Sequence, residues 1–129
     1  MRIFKNKWFT RFARKEAISD NALQEAVKQI EAGNHDADLG AGVFKQRIAR
    51  LGEGQSSGYR VILCLKLEER AFFVYGFAKS SRASIAQDET REFKKLAKIL
   101  FAMTDEQLER MLQNGDFDEL PCQGGLSHD

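Results

Sequence analysis

Three short stretches of alternating residues hold most of the side chains able to do chemistry. In residues 43–50, VFKQRIAR, an extended backbone puts Lys45 and Arg47 on one side and Phe44 and Ile48 on the other. In residues 59–67, YRVILCLKL, Arg60, Ile62, Cys64 and Lys66 alternate with Val61, Leu63, Leu65 and Leu67. In residues 71–79, AFFVYGFAK, Phe73, Tyr75, Phe77 and Lys79 share one side, with Phe72 and Val74 on the other; Arg82 follows just beyond. β-Branched and aromatic residues dominate these runs. LGEGQSSG and the pair Glu68-Glu69 supply the turns between them.

Paired as three antiparallel strands, the stretches sort into two faces. The pairing expected sets Ile48 opposite Val61, Arg47 opposite Ile62, Ile62 opposite Tyr75 and Arg60 opposite Phe77. One face is then apolar: Phe44, Ile48, Val61, Leu63, Leu65, Phe72 and Val74. It reads as a core face covered by the N-terminal helices. The other face collects Lys45, Arg47, Arg60, Tyr75, Phe77 and Lys79. Like charges facing one another across strands cost stability unless something compensates.

Such a face suits a phosphodiester, with cations on the phosphates and an aromatic ring stacked on a base. RNA can be cut by its own 2′-hydroxyl. That reaction needs a base for the hydroxyl proton, an acid for the leaving 5′-oxygen, and cations for the charge growing on phosphorus. Histidine is the common proton carrier, but His35 falls in a loop and His128 in the tail. No Cys/His/Asp cluster has metal-ligand spacing, and no cofactor is expected. A lysine among arginines is the remaining base, because neighbouring positive charge disfavours its protonated form. The structural alternative packs the aromatics under the C-terminal helices and pairs the cations with the acids there. That alternative is preferred for Phe73 and Phe77, and the functional reading for Arg47 and Arg60. Lys66 and Arg70, at the far turn, read as solvated.

The elements that must position these residues follow from periodicity and punctuation. Arg2–Lys5 reads as an edge strand, followed by Trp8, Phe9 and Phe12 at helical spacing. A break at Ile18-Ser19 precedes a helix capped by Ser19 or Asp20. Leu23, Ala26, Val27 and Ile30 form its stripe, and Gly33 ends it. Residues 34–42 read as a loop. A helix from near Asp88 carries Phe93, Leu96, Ala97 and Leu100 on one face. The next opens with a capping box, Thr104 to Gln107, and a staple of Met103 on Leu108. Leu108, Met111 and Leu112 face inward, and Asn114-Gly115 stops it. From Pro121 on, PCQGGLSHD reads as a disordered tail.

Composition bounds the function classes. A chain of 129 residues, 43% apolar and 30% charged, fits one globular domain. No apolar run is long enough to span a membrane, and the basic N-terminus lacks the apolar segment of a signal peptide. A cytoplasmic location is expected. Cys64 and Cys122 are in no CxxC spacing and read as reduced thiols. The net charge is +1, but it alternates along the chain: +5 over residues 1–18, −4 over 19–42, +5 over 43–82 and −5 over 83–129. Basic blocks that meet in space would form a patch for a polyanion.

SSGYRVILCL, RAFFVYGFAKSSRASI and KKLAKILFAMTDEQLERML together resemble the RelE/HigB branch of type II toxin–antitoxin toxins, within the RelE/ParE superfamily. The order of elements is similar too, and the resemblance covers about residues 1–120. It implies an α+β RelE-like domain: an antiparallel sheet with two N-terminal helices on one face, and C-terminal helices. It further implies an endoribonuclease that enters the ribosome and cuts messenger RNA, with an antitoxin as partner. By resemblance, Lys45 and Arg47 match the basic strand that supplies base and phosphate contacts. Arg60 matches the transition-state arginine of Gly-Tyr-Arg. Lys79 lies beside the place of a second arginine, where this chain has Ser80, and Arg82 replaces it from two residues on. The tyrosine that stacks on a base has no match near Ile85 and Ala86; Tyr75 is the substitute, with Phe77 beside it. Two other readings stand: a gyrase-directed toxin of the ParE type, and a noncatalytic module binding RNA or a protein.

Overall fold

The computed structural model describes residues 1–48, 58–79 and 85–121. Asn6 ends strand β1 (Arg2–Asn6) and starts helix α1 (Lys7–Glu16). Its side-chain oxygen accepts from the Phe9 N–H at 2.7 Å, and its amide donates to the Val74 carbonyl at 3.1 Å. Ala17 closes α1 in the left-handed conformation. Ser19 then caps α2 (Asp20–Glu31), and Gly33, at φ +88°, ends it.

Strands β2 (Ala37–Gly40), β3 (Val43–Ile48), β4 (Tyr59–Lys66) and β5 (Arg70–Ala78) follow. Helix α3 (Gln87–Ala102), helix α4 (Asp105–Gln113) and strand β6 (Phe117–Glu119) complete the chain. The expected box at the start of α4 is present: Thr104 accepts from the Gln107 N–H, and Gln107 accepts from the Thr104 N–H. Among the described residues no helix is long and apolar enough to cross a membrane.

The strands form one six-stranded sheet in the order β2-β3-β4-β5-β1-β6. Its middle meander is antiparallel as expected, but the sheet as a whole is mixed, because β1 runs parallel to β5. Nor is β1 an edge strand. It lies between β5 and β6, and Phe4 is fully buried, stacked on Phe72 with ring centres 5.0 Å apart. The expected loop at 34–42 contains β2, and the segment after α4 contains β6; both are too short to carry a strand pattern.

Helices cover both faces. Phe9, Leu23, Val27 and Ile30 pack on Ile48, Tyr59, Val61, Leu63, Leu65 and Phe73. On the opposite face Ala97, Leu100 and Leu108 pack on Val43, Ile62, Cys64, Phe72 and Val74. This departs from expectation at β5. Ile62 pairs with Tyr75 but Leu63 pairs with Phe73, so Val74 is an extra residue in a bulge. The bulge reverses the alternation: Phe72 and Val74 turn to the α3/α4 side, and Phe73 turns to Phe9 of α1. A bulge leaves no mark in a run where every residue is apolar.

Two close approaches fix where the helices sit. A Cβ on Gly76 would lie 2.5 Å from the Phe12 ring, and one on Gly42 would lie 2.7 Å from the Phe101 ring. Gly42 also has φ +83°, so both space and backbone ask for glycine there. Arg70 is not solvated as expected. It donates to the Leu100 and Met103 carbonyls at 3.4 and 2.9 Å, and so closes the C-terminal end of α3. Lys66 is exposed, with Glu69 at 3.4 Å.

Candidate RNA-binding site

The Gly-Tyr-Arg stretch divides its work by alternation. Tyr59 turns to the α1 side, 2% exposed, and its hydroxyl donates to Glu16 at 2.9 Å. Arg60 turns to the opposite face and is 8% exposed. One residue locks the strand to α1; the next carries a buried cation on the other face.

The register there differs from the expected one. Arg47 pairs with Arg60, not Ile62, and Ile48 pairs with Tyr59. The slip is two residues, so every side chain keeps its face while its partner changes. Two rows result across β3, β4 and β5. Lys45, Ile62 and Tyr75 form one; Arg47, Arg60 and Phe77 form the next. The slip brings the two arginines directly opposite each other, an arrangement that needs a counter-charge.

Asp36 supplies it. Its carboxylate is 3.2 Å from Arg60 Nε and 3.8 Å from Arg47 Nη2. Its position is set from beneath. Gln46, 6% exposed on the α2 side of β3, accepts from the Asp36 N–H at 2.8 Å and donates to the Asn34 carbonyl at 3.3 Å. Arg60 Nη1 is buried and has no hydrogen-bond partner among the described residues. Leaving a buried donor unmade costs about 1–3 kcal/mol, more for a charged group. The Arg60 guanidinium is thus nine-tenths buried with a donor to spare, and charged donors of this kind make strong hydrogen bonds to anions.

The remaining sequence candidates fall around this pair. Lys45 is half-buried on β3, one row from Arg47. Lys79 is exposed at the end of β5, where its N–H donates to the Gly58 carbonyl at 3.1 Å. Phe77 is 4% exposed and sits in Arg60's row, with Tyr75 at 6.2 Å between ring centres. Tyr75 is half-buried between Trp8, at 4.7 Å, and Phe93, at 5.8 Å. Arg82 lies outside the described residues, as do Ser80, Cys122 and His128. His35 is exposed against Phe44 at 5.6 Å, on the α2 side of β3.

Asp36, Gln46 and Trp8 escaped the sequence reading. A glutamine between Phe44 and Ile48 on a core face was a usable signal, since a buried amide must find partners. Trp8, 43% exposed, stacks on Phe12 at 5.3 Å as well as on Tyr75. With Arg11 and Lys15 these rings line a cleft of about 550 Å³ beside the end of β5.

Fold and geometry together define a small α+β protein with Arg47 and Arg60 paired on one face of its sheet. The family model of the RelE toxin of the RelE/RelB toxin–antitoxin system matches residues 1–120. The chain belongs to the RelE toxin family and is a toxin of a toxin–antitoxin system. Curated proteins give no match to it.

Proposed function

We propose that the chain is an endoribonuclease that cuts messenger RNA on the ribosome, and that its cationic sheet end holds the scissile phosphate. The observation that carries this reading is Arg60, nine-tenths buried, with Nη1 unpartnered among the described residues and Arg47 directly opposite. RelE-family membership supports it, since toxins of this family are generally endoribonucleases.

In the proposed reaction the ribose 2′-oxygen attacks phosphorus while the bond from phosphorus to the 5′-oxygen breaks. Lys45 takes the 2′-hydroxyl proton. Arg60, Arg47 and Lys79 meet the charge that grows on the phosphoryl oxygens, joined by Arg82. The leaving 5′-oxygen takes a proton from solvent water, and Lys45 afterwards gives its own back to solvent, so the protons balance. The products are a 2′,3′-cyclic phosphate and a 5′-hydroxyl end. Tyr75 is the aromatic wall beside the site. The ribosome would contribute by orienting the codon against these groups. The partner antitoxin must cover the cationic end or obstruct ribosome entry.

The test is 5′-end mapping of a defined messenger RNA in a bacterial translation extract, with wild type and Arg60→Ala in parallel. New ends inside translated codons that require ribosomes and vanish with Arg60→Ala are the expected result. Arrested translation without new ends would replace the nuclease by a binding inhibitor. No effect on translation would redirect the search to gyrase or a protein target.

A further inference from the structure

We infer that Asp36 is the positioning residue of the site: its carboxylate holds the Arg60 guanidinium from the side, so that the end bearing Nη1 faces the phosphate. The inference deepens the nuclease reading and rests on it. Three observations carry it. First, β3–β4 pairing sets Arg47 and Arg60 opposite each other, and Asp36 is the carboxylate found within 4 Å of both. Second, the Asp36 carboxylate lies 3.2 Å from Arg60 Nε, while Nη1 is buried without a hydrogen-bond partner among the described residues. A guanidinium presents two donors along its side and two at its end, so a carboxylate on the side fixes the plane without occupying the end. Third, the position of Asp36 is set by the fold. Its N–H is bonded to buried Gln46, and the adjoining Ala37 pairs with Lys45. The adjacent residues 36 and 37 therefore touch Arg60 and the candidate base's strand respectively.

A rival role uses the same contact. A carboxylate between two arginines is also a mimic of phosphate, and could act as a gate that RNA displaces. The two roles predict opposite signs. If Asp36 aims Arg60, Asp36→Asn leaves the site one charge more positive and its arginine less fixed. RNA then binds equally well or more tightly, while turnover falls by about 10- to 100-fold. If Asp36 is a gate, removing its charge raises both binding and turnover.

The experiment uses wild type, Asp36→Asn, Asp36→Glu and Arg60→Ala. It compares cleavage on programmed ribosomes, affinity for a 2′-O-methyl RNA hexamer that cannot be cut, and melting temperature. A lower kcat with unweakened hexamer affinity and an unchanged melting temperature, partly recovered by Asp36→Glu, is the expected result. Raised turnover in Asp36→Asn would overturn the inference, and so would parallel losses of turnover, affinity and melting temperature. A fourth readout separates the inference from the reading beneath it. The Arg60 Nε–H resonance, assigned by its loss in Arg60→Ala, should be slow to exchange in wild type and fast in Asp36→Asn. If wild type cuts no RNA but this dependence holds, the nuclease reading fails and the positioning of Arg60 by Asp36 stands. If the resonance is indifferent to Asp36, the positioning fails whatever the cleavage shows.

Discussion

Arg2 and Arg60 lie on one sheet, and their surroundings are opposite in every term. Arg2 meets two carboxylates. Its Nε and Nη2 donate to Glu119 at 2.8 and 2.9 Å, and Nη2 also donates to Glu109 at 2.9 Å. It is 39% exposed and adds a contact over the Phe4 ring at 5.0 Å. Among the described residues, Arg60 shares one carboxylate with Arg47, is 10% exposed in its side chain, and keeps a buried donor unmade. One arginine for two acids, wet and saturated, is a clasp that ties β1 to β6 and α4. Among the described residues, two arginines share one acid; Arg60 is buried with a donor unmade and Arg47 is 43% exposed, so their charge is not matched as that of Arg2 is. Saturation, rather than charge, separates a structural arginine from a candidate working one.

The comparison breaks most directly at Arg60. Arg60→Ala should lower ribosome-dependent cleavage by about 100-fold or more, while circular dichroism keeps its native shape. Cleavage that survives the substitution would mean that the unsaturated cluster does no chemistry. Lys45→Ala should cost about 100-fold, as expected for loss of a positioned proton acceptor, and the cleaved ends should keep their positions. Arg47→Ala should act chiefly on binding. The log–log salt slope for the uncut RNA hexamer should become shallower by about 0.7, one phosphate contact on a single strand; an unchanged slope would remove Arg47 from the phosphate path.

At the clasp, Glu119→Gln should leave cleavage alone and lower stability at neutral pH by about 1 kcal/mol or less, since the pair is partly exposed and screened. The pH dependence has a definite sign. Hydrogen bonding to Arg2 holds the Glu119 carboxyl below its ordinary value of 4.5. Its contribution is therefore complete above that value and is lost as pH falls through the lowered one. Denaturation of wild type and Glu119→Gln should differ at pH 7 and converge in acid; a constant gap would show that the charge is irrelevant. The smallest effect belongs to Cys64, on the same side of β4 as Arg60 but under α3 and α4. It is fully buried, and burial pushes its thiol up to about 12. In a Cys122→Ser background a thiol reagent should label the native chain no faster than it unfolds.

Much of this was legible from residue order. The helix caps at Ser19 and Thr104, the α3 stripe and the β4–β5 pairing at Ile62–Tyr75 and Arg60–Phe77 follow from local rules and are present. Lys45, Arg47, Arg60, Tyr75 and Phe77 share a face as alternation requires. The β3–β4 register was missed because a slip of two preserves every face, so hydrophobic pattern cannot choose between the alternatives. Phe72 and Phe73 were assigned to each other's faces because a bulge in an all-apolar run is invisible.

By itself, then, the sequence determined what is local and periodic: the four helices, the long strands β3 to β5, and which cations lie on one side of the sheet. Only the tertiary structure decided what is matched across distance. It set Arg47 against Arg60, threaded β1 between β5 and β6, and brought Asp36 between the two arginines. Periodicity specifies the direction in which a side chain leaves the backbone. Which group it meets depends on packing and register, and those are fixed only when the whole core closes.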